Sequence, residues 1–385
     1  MSGGRRRTGY AIFLTLGIST SVGGAIFAAD APKGIAMGIF RVSPKMVVTS
    51  QYNENIDAAE TNTTSDQVLT TSTSVAFTTR WRRNAFTGTL GADQGRHKNT
   101  GPTNDYNDYS AKLAFKFQPR RRLKFDMNYD YVVKHDDQAD ASSGAYNQHS
   151  LTTSAAYRFK KFTATVNTTT KQRRSSDPAQ RETDPLTNGL GLTVAYPVTP
   201  KTSFDTNATY SQQRYDRLSS RNNQSYTGNI GVSWKAAAKT RGNFMIGVTS
   251  RHHEDNSGLD NKAALVLGSG IDWKASSKAY FSLNLKRSFE DGGTTDAYSV
   301  DTSATLSAQY TLRSYLSMSG SMGYKHSAFT KTQKDETWNA ALGAQYKFPR
   351  WLSLGVDLTR TMKDSNASGS SYANNTYSVS LTGGL

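Results

Sequence analysis

The sequence predicts a transmembrane antiparallel β-barrel of about 18 strands, an all-β fold. Three observations predict it. Apolar and polar residues alternate along eighteen successive segments, the connections between them alternate between short and long, and aromatic residues gather at both ends of the segments. A soluble sandwich or propeller explains the first observation, but it has no reason to sort its aromatic residues to both strand ends.

The stretch LKFDMNYDYVV, residues 123–133, illustrates the alternation. Leu123, Phe125 and Met127 fall on one side of an extended chain, whereas Lys124 and Asp126 fall on the other. Eighteen such segments follow one another between residues 40 and 385, and an even number is what a single-chain bacterial outer-membrane barrel requires. We therefore expect the apolar face to contact lipid and the polar face to line a lumen.

The connections support the same topology. Eight are short, for example residues 119–122 and 160–161, and a longer polar connection such as residues 53–65 or 361–375 follows each of them. Outer-membrane barrels have short periplasmic turns and longer outer loops, so both ends of the barrel chain are expected on the periplasmic side.

Aromatic residues form two predicted belts, one at each membrane interface. Beside the short turns lie Trp81, Phe117, Phe159, Tyr196, Trp234, Trp273, Tyr310, Phe348 and Trp351. Beside the long loops lie Tyr52, Tyr109, Tyr131, Tyr210, Tyr226, Tyr298, Tyr324, Trp338 and Tyr377.

Residues 1–29 have the pattern of a cleaved signal peptide, which leaves residues 30–385 as one barrel domain. Arg5–Arg7 form a cationic start, Ala11–Phe27 a short core of apolar and small residues, and Ala28 and Ala29 a cleavage region. A single N-terminal membrane anchor is the alternative, but the core is short and rich in Gly, Ser and Thr. We expect an integral protein of the Gram-negative outer membrane.

Composition narrows the possible chemistry and partners. The chain has 385 residues, 36% of them hydrophobic, and a mean hydropathy of −0.61, which is too hydrophilic for a helical membrane protein. The absence of cysteine excludes disulfides, thiolate metal sites and a catalytic thiol. The formal charge is +16. For a secreted chain, membrane lipid, lipopolysaccharide and anionic glycans are better partners than nucleic acid.

Eleven basic residues are predicted to line the lumen: Lys45, Arg80, Lys112, Lys116, Lys124, Arg158, Lys171, Arg241, Lys286, Lys325 and Lys347. Seven acidic residues share that register: Asp93, Asp126, Asp130, Asp205, Asp272, Asp301 and Asp357. The excess predicts a mildly cationic pore. Either these charges pair across strands and only keep the channel wet, or they attract an anionic solute.

A basic rim is predicted at the short turns, which contain no Asp or Glu. Its residues are Arg82, Arg83, Arg120, Arg121, Arg122, Lys160, Lys161, Lys201, Lys235, Lys239, Lys274, Lys278, Arg313 and Arg350. The rim either contacts phosphates of the inner leaflet, or docks an acidic periplasmic partner, or funnels a polyanion.

No catalytic or metal-binding constellation is predicted, and no cofactor. The six histidines show no metal-ligand spacing. The nearest approach to an enzyme motif is residues 252–257, where two histidines precede Ser257 in a predicted outer loop. Outer-membrane phospholipases place their His and Ser on the lipid-facing wall of a smaller barrel, so a turn is the simpler interpretation.

Several short motifs resemble the beta-barrel porin family found in exopolysaccharide gene clusters. They are Val42–Val48 with its proline, Tyr52–Ile56, Ser65–Asp66 and Asn104–Tyr109. The resemblance implies an 18-stranded outer-membrane conduit that works with a periplasmic polysaccharide-export protein and an inner-membrane copolymerase.

The functional hypothesis from sequence is therefore a passive channel for export of an exopolysaccharide, and the cationic lumen predicts that this polymer is anionic. A general or anion-selective diffusion porin for small solutes is the main alternative, and a lumen-narrowing charged loop would favour it. An outer-membrane enzyme is the second alternative, which a short His–Ser distance would favour.

Overall fold

The computed structural model describes residues 34–385 except 80, 82, 103, 136–144, 178–180, 182–183, 238, 255–260, 292–297, 330–331 and 349–350. One short strand and eighteen long strands make up the described fold. Their bounds are β1 Ile35–Met37, β2 Phe40–Asn53, β3 Asp66–Thr79, β4 Ala85–His97, β5 Tyr106–Arg120, β6 Leu123–Lys134, β7 Tyr146–Arg158, β8 Thr163–Ser175, β9 Pro185–Thr199, β10 Thr202–Tyr215, β11 Asn223–Ala237, β12 Thr240–His253, β13 Lys262–Trp273, β14 Ala279–Asp291, β15 Tyr298–Arg313, β16 Leu316–Phe329, β17 Lys334–Lys347, β18 Leu352–Ser365 and β19 Tyr372–Gly384. No helix among the described residues is long and apolar enough to cross a membrane.

The eighteen long strands close into a barrel. Each pairs antiparallel with the next along the chain, and β19 pairs with β2, where Tyr377 lies opposite Tyr52. Closure pairs the first long strand with the last, so the backbone polar groups of the wall find partners on neighbouring strands, except where β13 and β14 separate at the loop end. The predicted fold class and strand number are confirmed. We call the two ends of the barrel the turn end and the loop end.

The short strand β1 was not predicted. It forms a hairpin with β2, with Ile35 opposite Val42 and Met37 opposite Phe40. It continues the edge of β2 where β19 stops, since the Leu385 amide donates to the Pro44 carbonyl at 3.1 Å. Three residues are too few for an alternation pattern to reveal a strand.

Apolar side chains lie on the outside of the barrel. Only Val68, Tyr215 and Tyr298 are buried apolar residues in the described part of the chain, whereas Leu342 is 65% and Ile230 54% exposed. In β6 the exposed Phe125 and Met127 face outward, as the alternation predicts. A surface of this kind requires an apolar solvent, because large contiguous apolar areas are unfavourable in water.

Aromatic residues flank the apolar band at both ends. At the loop end Tyr52 packs against Tyr377, with ring centroids 6.4 Å apart, and at the turn end Trp273 packs on Phe281 at 5.4 Å. The assignment of Tyr298 to the outer belt is wrong, because this side chain is 3% exposed. The hairpin that carries it bends into the barrel, as described below.

Side chains from the loops satisfy the backbone at the loop end. The Asp105 carboxylate accepts a hydrogen bond of 2.7 Å from the backbone amide of His97, the last residue of β4. The Asn222 side chain accepts one of 2.8 Å from the amide of Tyr215, the last residue of β10. Asp184 and Asn261 do the same for the last residues of β8 and β12. These bonds hold the loops in defined positions, because a strand end without a partner would leave its amide unsatisfied.

Asn55 fixes the first loop across the seam where β19 meets β2. Its side chain is 2% exposed and donates to the carbonyls of Ala59, at 2.7 Å, and Ala373, at 3.1 Å. Its amide oxygen accepts the Ala59 amide at 2.9 Å, while Asn374 accepts the Asn55 amide at 3.1 Å. This buried asparagine belongs to the Tyr52–Ile56 motif, so that motif has a structural role at the seam.

Replacing Asn55 with alanine is expected to lower the free energy of unfolding by about 3 kcal/mol, because three side-chain hydrogen bonds of about 1 kcal/mol each are lost. The midpoint of urea unfolding in lipid vesicles measures this change. Asn188→Ala is the matched control, since Asn188 is exposed and accepts one hydrogen bond from Thr170. Equal losses in the two variants would show that Asn55 does not stabilise the seam.

Candidate channel constriction

The β14–β15 hairpin separates from β13 at the loop end. β13 and β14 pair only as far as Leu267 and Arg287, whereas β13 continues to Lys262 in register with β12. β14 and β15 stay paired with each other as far as Asp291 and Tyr298. The described residues beyond the separation, 288–291 and 298–301, form what we call the hairpin tip.

One face of the hairpin tip packs on the inside of the barrel. Arg251 and His253 on β12 and Lys262 on β13 are in lumen-facing register. The Arg251 guanidinium carbon lies 5.4 Å from the Phe289 ring centroid, the His253 and Tyr298 rings stack at 6.2 Å, and Lys262 Nζ lies 5.9 Å from the Tyr298 centroid. Phe289 and Tyr298 are in outward register, so they reach the inner wall because the tip bends inward.

The other face of the hairpin tip carries a carboxylate towards the lumen. Glu290 accepts a hydrogen bond from Lys286 Nζ at 2.9 Å and one from Ser288 Oγ at 2.8 Å. Its charge also interacts with that of Lys171 on β8, six strands away around the wall. The tip therefore projects into the lumen, where its carboxylate interacts with basic side chains of β14 and β8.

The loop end of the lumen is packed, and the turn end is open. Lumen-register residues buried at the loop end are Asp66, Val68, Asp108, Ser175, Tyr215, Asn223, Ser225, Thr249, Arg251, His253, Ser299, Asp301, Ser327, Asp335 and Lys363. At the turn end, Lys116 and Lys347 in the same register are exposed. The narrow part of the lumen therefore lies near the loop end, at the level of the hairpin tip.

Two ion pairs line the wall beside the hairpin tip. Lys325 Nζ lies 2.7 Å from Asp301 Oδ2, and Lys363 Nζ lies 2.9 Å from Asp335 Oδ2. The side chain of Lys363 is fully buried, whereas that of Lys325 keeps partial exposure. Asp335 also accepts Ser365 Oγ at 2.6 Å. The first pair connects β15 to β16 and the second connects β17 to β18, both inside the barrel.

The described residues predicted to line the lumen lie in lumen-facing register: Lys45, Lys112, Lys116, Lys124, Arg158, Lys171, Arg241, Lys286, Lys325 and Lys347. Arg80 lies outside the described residues. Some of these basic residues lie beside acidic residues of a neighbouring strand. Lys112 is opposite Asp130, and Arg241 forms an ion pair with Asp272, with 2.7 Å between Nε and Oδ2. Lys171, Lys286 and Lys325 are the predicted cations beside the hairpin tip.

Several charged residues near the constriction were missed from the sequence. These residues face the lumen at the loop ends of their strands: Arg173 on β8, Arg251 on β12 and Lys363 on β18. Each shares the register of a lumen-facing residue nearer the middle of its strand, namely Lys171, Thr249 and Asp357. Extending the alternation to the loop ends of the strands would have identified them. Glu290, the acidic residue of the hairpin tip, lies in β14 in the same register as Lys286.

The predicted basic rim lies in the turns and strand ends at the turn end of the barrel. Arg83, Arg120, Arg121, Arg122, Lys160, Lys161, Lys201, Lys235, Lys239, Lys278 and Arg313 are exposed there, and Lys274 is half-buried. Arg82 and Arg350 lie outside the described residues. The described cations of the predicted rim therefore lie together at the turn end of the barrel.

A short His–Ser contact does occur, between Ser250 Oγ and His252 Nε2 at 2.9 Å. Both residues are exposed on the outward face of β12, two positions apart, and the Tyr226 ring packs on the histidine at 6.0 Å. Adjacent side chains on one strand face meet without any catalytic design. Ser257 of the sequence motif lies outside the described residues, which contain no group of three metal-ligating side chains.

The comparisons with known proteins agree with a closed β-barrel. The sequence matches the family described as "Putative beta-barrel porin 2" over residues 29–384. The chain belongs to this beta-barrel porin family. The family description contains no reference to polysaccharide, so the gene-cluster context remains an inference from short motifs. No curated protein matches the chain.

Three solved structures that are similar to this porin come from Pseudomonas aeruginosa. OpdQ is 9% identical, covers 91% of this chain and 100% of its own, and has a TM-score of 0.52. OccK9 (OpdG) is 10% identical, with coverage of 90% and 98% and a TM-score of 0.51. OpdK, solved with vanillate, is 11% identical, with coverage of 89% and 99% and a TM-score of 0.50. At such identities the likeness establishes the fold.

The predicted location is confirmed: this porin is an integral protein of the outer membrane. Its short turns then face the periplasm and its loops face outward.

Proposed function

We propose that this porin is a passive diffusion channel for small solutes with a preference for anions. The inward-bent hairpin tip carries the proposal. An eighteen-stranded barrel leaves an aqueous channel unless something fills it, and here Phe289 and Tyr298 hold the tip inside the loop end of the lumen. A narrowing of this kind suits small solutes better than a polymer.

The charges at the hairpin tip support a preference for anions. Glu290 is already paired with Lys286, and Lys171 faces it from β8 with an exposed side chain. Arg173, two residues farther along β8 in the same register, is paired with Asp184, so Lys171 and Lys286 are the cations that outnumber Glu290 here. Charged side chains at a constriction select permeating ions by sign, so this excess of cations favours anions.

Exopolysaccharide export receives less support. That hypothesis rests on the motif resemblance, and the Tyr52–Ile56 motif is occupied in holding the barrel seam. The exposed rim at Arg120–Arg122 fits a periplasmic partner, but it fits phospholipid phosphates equally well. OpdK of Pseudomonas aeruginosa was solved with vanillate, a small organic anion, and shares the fold.

Reversal of charge at Lys171 tests the proposal. In planar bilayers under a KCl gradient, the wild-type reversal potential is expected to indicate selectivity for chloride. Lys171→Glu is expected to shift the permeability ratio towards potassium by roughly tenfold, because the side chain stands at the constriction. Lys347→Glu is the matched control. It makes the same charge change in the open turn end of the lumen, so a smaller shift is expected there.

Two results would contradict the proposal. One is a selectivity that responds equally to both substitutions, which would place no constriction beside Lys171. The other is loss of secreted polysaccharide on deletion of the gene, with uptake of small anions unchanged. That second result would restore the export hypothesis.

A further inference from the structure

A cavity of about 220 Å³ lies between the β8–β9 and β10–β11 loops at the outer end of the barrel. Its lining is rich in arginine and consists of Gln172, Arg173, Arg174, Arg181, Asp184, Leu186, Asp216 and Arg217. A water molecule occupies about 30 Å³ of liquid, so the cavity has room for a larger group. Four guanidinium groups against two carboxylates give it an affinity for anions.

The cavity is a built structure, because hydrogen bonds hold part of its lining in place. Arg181 donates from Nε to the Ser175 carbonyl at 2.8 Å and from Nη2 to the Ser176 carbonyl at 3.2 Å. Asp184 accepts Ser175 Oγ at 2.9 Å, and Arg173 Nε lies 3.5 Å from Asp184 Oδ1. Arg174 and Arg217 complete the lining with exposed side chains.

The position of the cavity relative to the membrane indicates its ligand. Arg174 on β8 and Leu186 on β9 are in outward register, and so is Arg214 on β10, opposite Leu186. Arg214 lies four residues beyond Tyr210 of the outer aromatic belt, which is about 13 Å along an extended strand. Aromatic belts mark the membrane interface. The arginines therefore stand at the level where the head groups of the outer leaflet begin.

Two groups of arginines take the outward register in the described strands. Arg120 and Arg313, opposite Leu123 and Leu316, lie at the turn end. The others lie in the outer half of their strands: Arg96, Arg174, Arg214, Arg287 and Arg360. The cavity at β8–β10 is the place where such arginines converge with loop arginines. Guanidinium groups bind phosphate through paired hydrogen bonds, with more geometric specificity than an ammonium group provides.

We infer that this cavity binds a phosphate group of a phosphorylated glycolipid in the outer leaflet. This inference does not depend on what permeates the lumen. The lipid would contact Arg174 and Arg217 with its phosphate, while its acyl chains lie along the apolar wall below Leu186. The site would fix the porin to its surrounding lipid.

Binding of bisphosphorylated lipid A to the purified porin, followed by native mass spectrometry, tests the inference. Arg174→Gln/Arg217→Gln is expected to weaken retention of the lipid by tenfold or more, since each arginine contributes charge-assisted hydrogen bonds. The matched control is Lys45→Gln/Lys347→Gln, which removes the same charge from the lumen and should retain the lipid. A difference in migration on SDS gels between heated and unheated samples verifies that each variant has folded.

Lipid A without its phosphates is expected to bind no better to the wild type than to the double arginine variant. Equal retention of the phosphorylated lipid by both double variants would overturn the inference. So would displacement of the lipid by an equal concentration of inorganic phosphate, since the site would then belong to the free ion.

Discussion

Tyr298→Ser is expected to raise the single-channel conductance of this porin severalfold. Tyr298 is 3% exposed and anchors the hairpin tip to the lumen wall through His253 and Lys262, while it packs against Phe289 within the tip. Truncating a buried aromatic side chain removes about 3 kcal/mol or more of packing. A loss of that size lowers the ratio of docked to released tips roughly a hundredfold. Released tips no longer narrow the lumen.

Planar-bilayer recording of single channels measures the conductance, and swelling of proteoliposomes in sugars of increasing size measures the exclusion limit. Both should increase in the variant. Tyr226→Ser is the matched control, because Tyr226 is half exposed on the lipid-facing wall and does not touch the hairpin tip. If Tyr298→Ser and Tyr226→Ser conduct alike, the tip does not limit permeation, and the proposed function loses its main support.

The strands and their register were predictable because lipid on one side and water on the other impose a strict period of two. In β6 the sequence LKFDMNYDYVV alternates so regularly that the outward exposure of Phe125 and Met127 follows directly. The same logic puts Lys112 and Lys116 in the lumen. Local sequence is sufficient here because each residue's environment depends only on its position within its own strand.

The constriction was not predictable by that logic. The alternation of apolar and polar residues continues without a break from Leu306 to Val300 and Phe289. It therefore predicts that all three face lipid, although the hairpin tip bends into the lumen. The bend begins where β13 and β14 stop pairing, after Leu267 and Arg287. Its position therefore depends on two strands together. A pattern along one strand contains no information about where its neighbour stops. Tyr298 was therefore assigned to the lipid interface, although it is buried inside the barrel.

The roles of the motif residues also needed the structure. Three polar residues of these motifs are buried: Asn55, Asp66 and Asp108. Their polarity and their positions in or next to the loops suggest exposure to water. Each accepts or donates hydrogen bonds to backbone of a neighbouring loop; Asp66 accepts the Asn99 amide at 2.9 Å, and Asp108 that of His135 at 2.9 Å. Their partners come from other hairpins, so the composition of one loop does not reveal them.

Lys363→Met is expected to be the most destabilising single substitution in the lumen, lowering the free energy of unfolding by about 3–5 kcal/mol. The Lys363 side chain has no exposed surface and pairs at 2.9 Å with Asp335, which is 5% exposed. Removing the ammonium leaves a carboxylate buried beside Ser365 and Gln333 without a counter-charge. A buried charge without a partner is unfavourable because water no longer solvates it.

Urea unfolding in lipid vesicles measures the loss, and a second substitution separates charge from packing. Lys363→Met/Asp335→Asn removes both charges and keeps an oxygen that accepts from Ser365 and Gln333, so it should recover most of the stability. Replacing a buried ion pair by a neutral pair is often nearly neutral, whereas breaking it is not. If the double variant is as unstable as Lys363→Met, lost packing around the lysine stem causes the effect.

Lys286→Met is the matched exposed control for the same chemical change. Its ion pair with Glu290 also spans 2.9 Å, but the two side chains are 60% and 35% exposed to the lumen. Exposed pairs contribute about 0–1 kcal/mol, because water and salt screen them. Equal destabilisation by Lys286→Met and Lys363→Met would contradict the packed loop end of the lumen, since burial is the difference between the two pairs. A large effect at Lys363 alone instead shows that the buried pair between β17 and β18 is a rigid part of the loop end of the lumen.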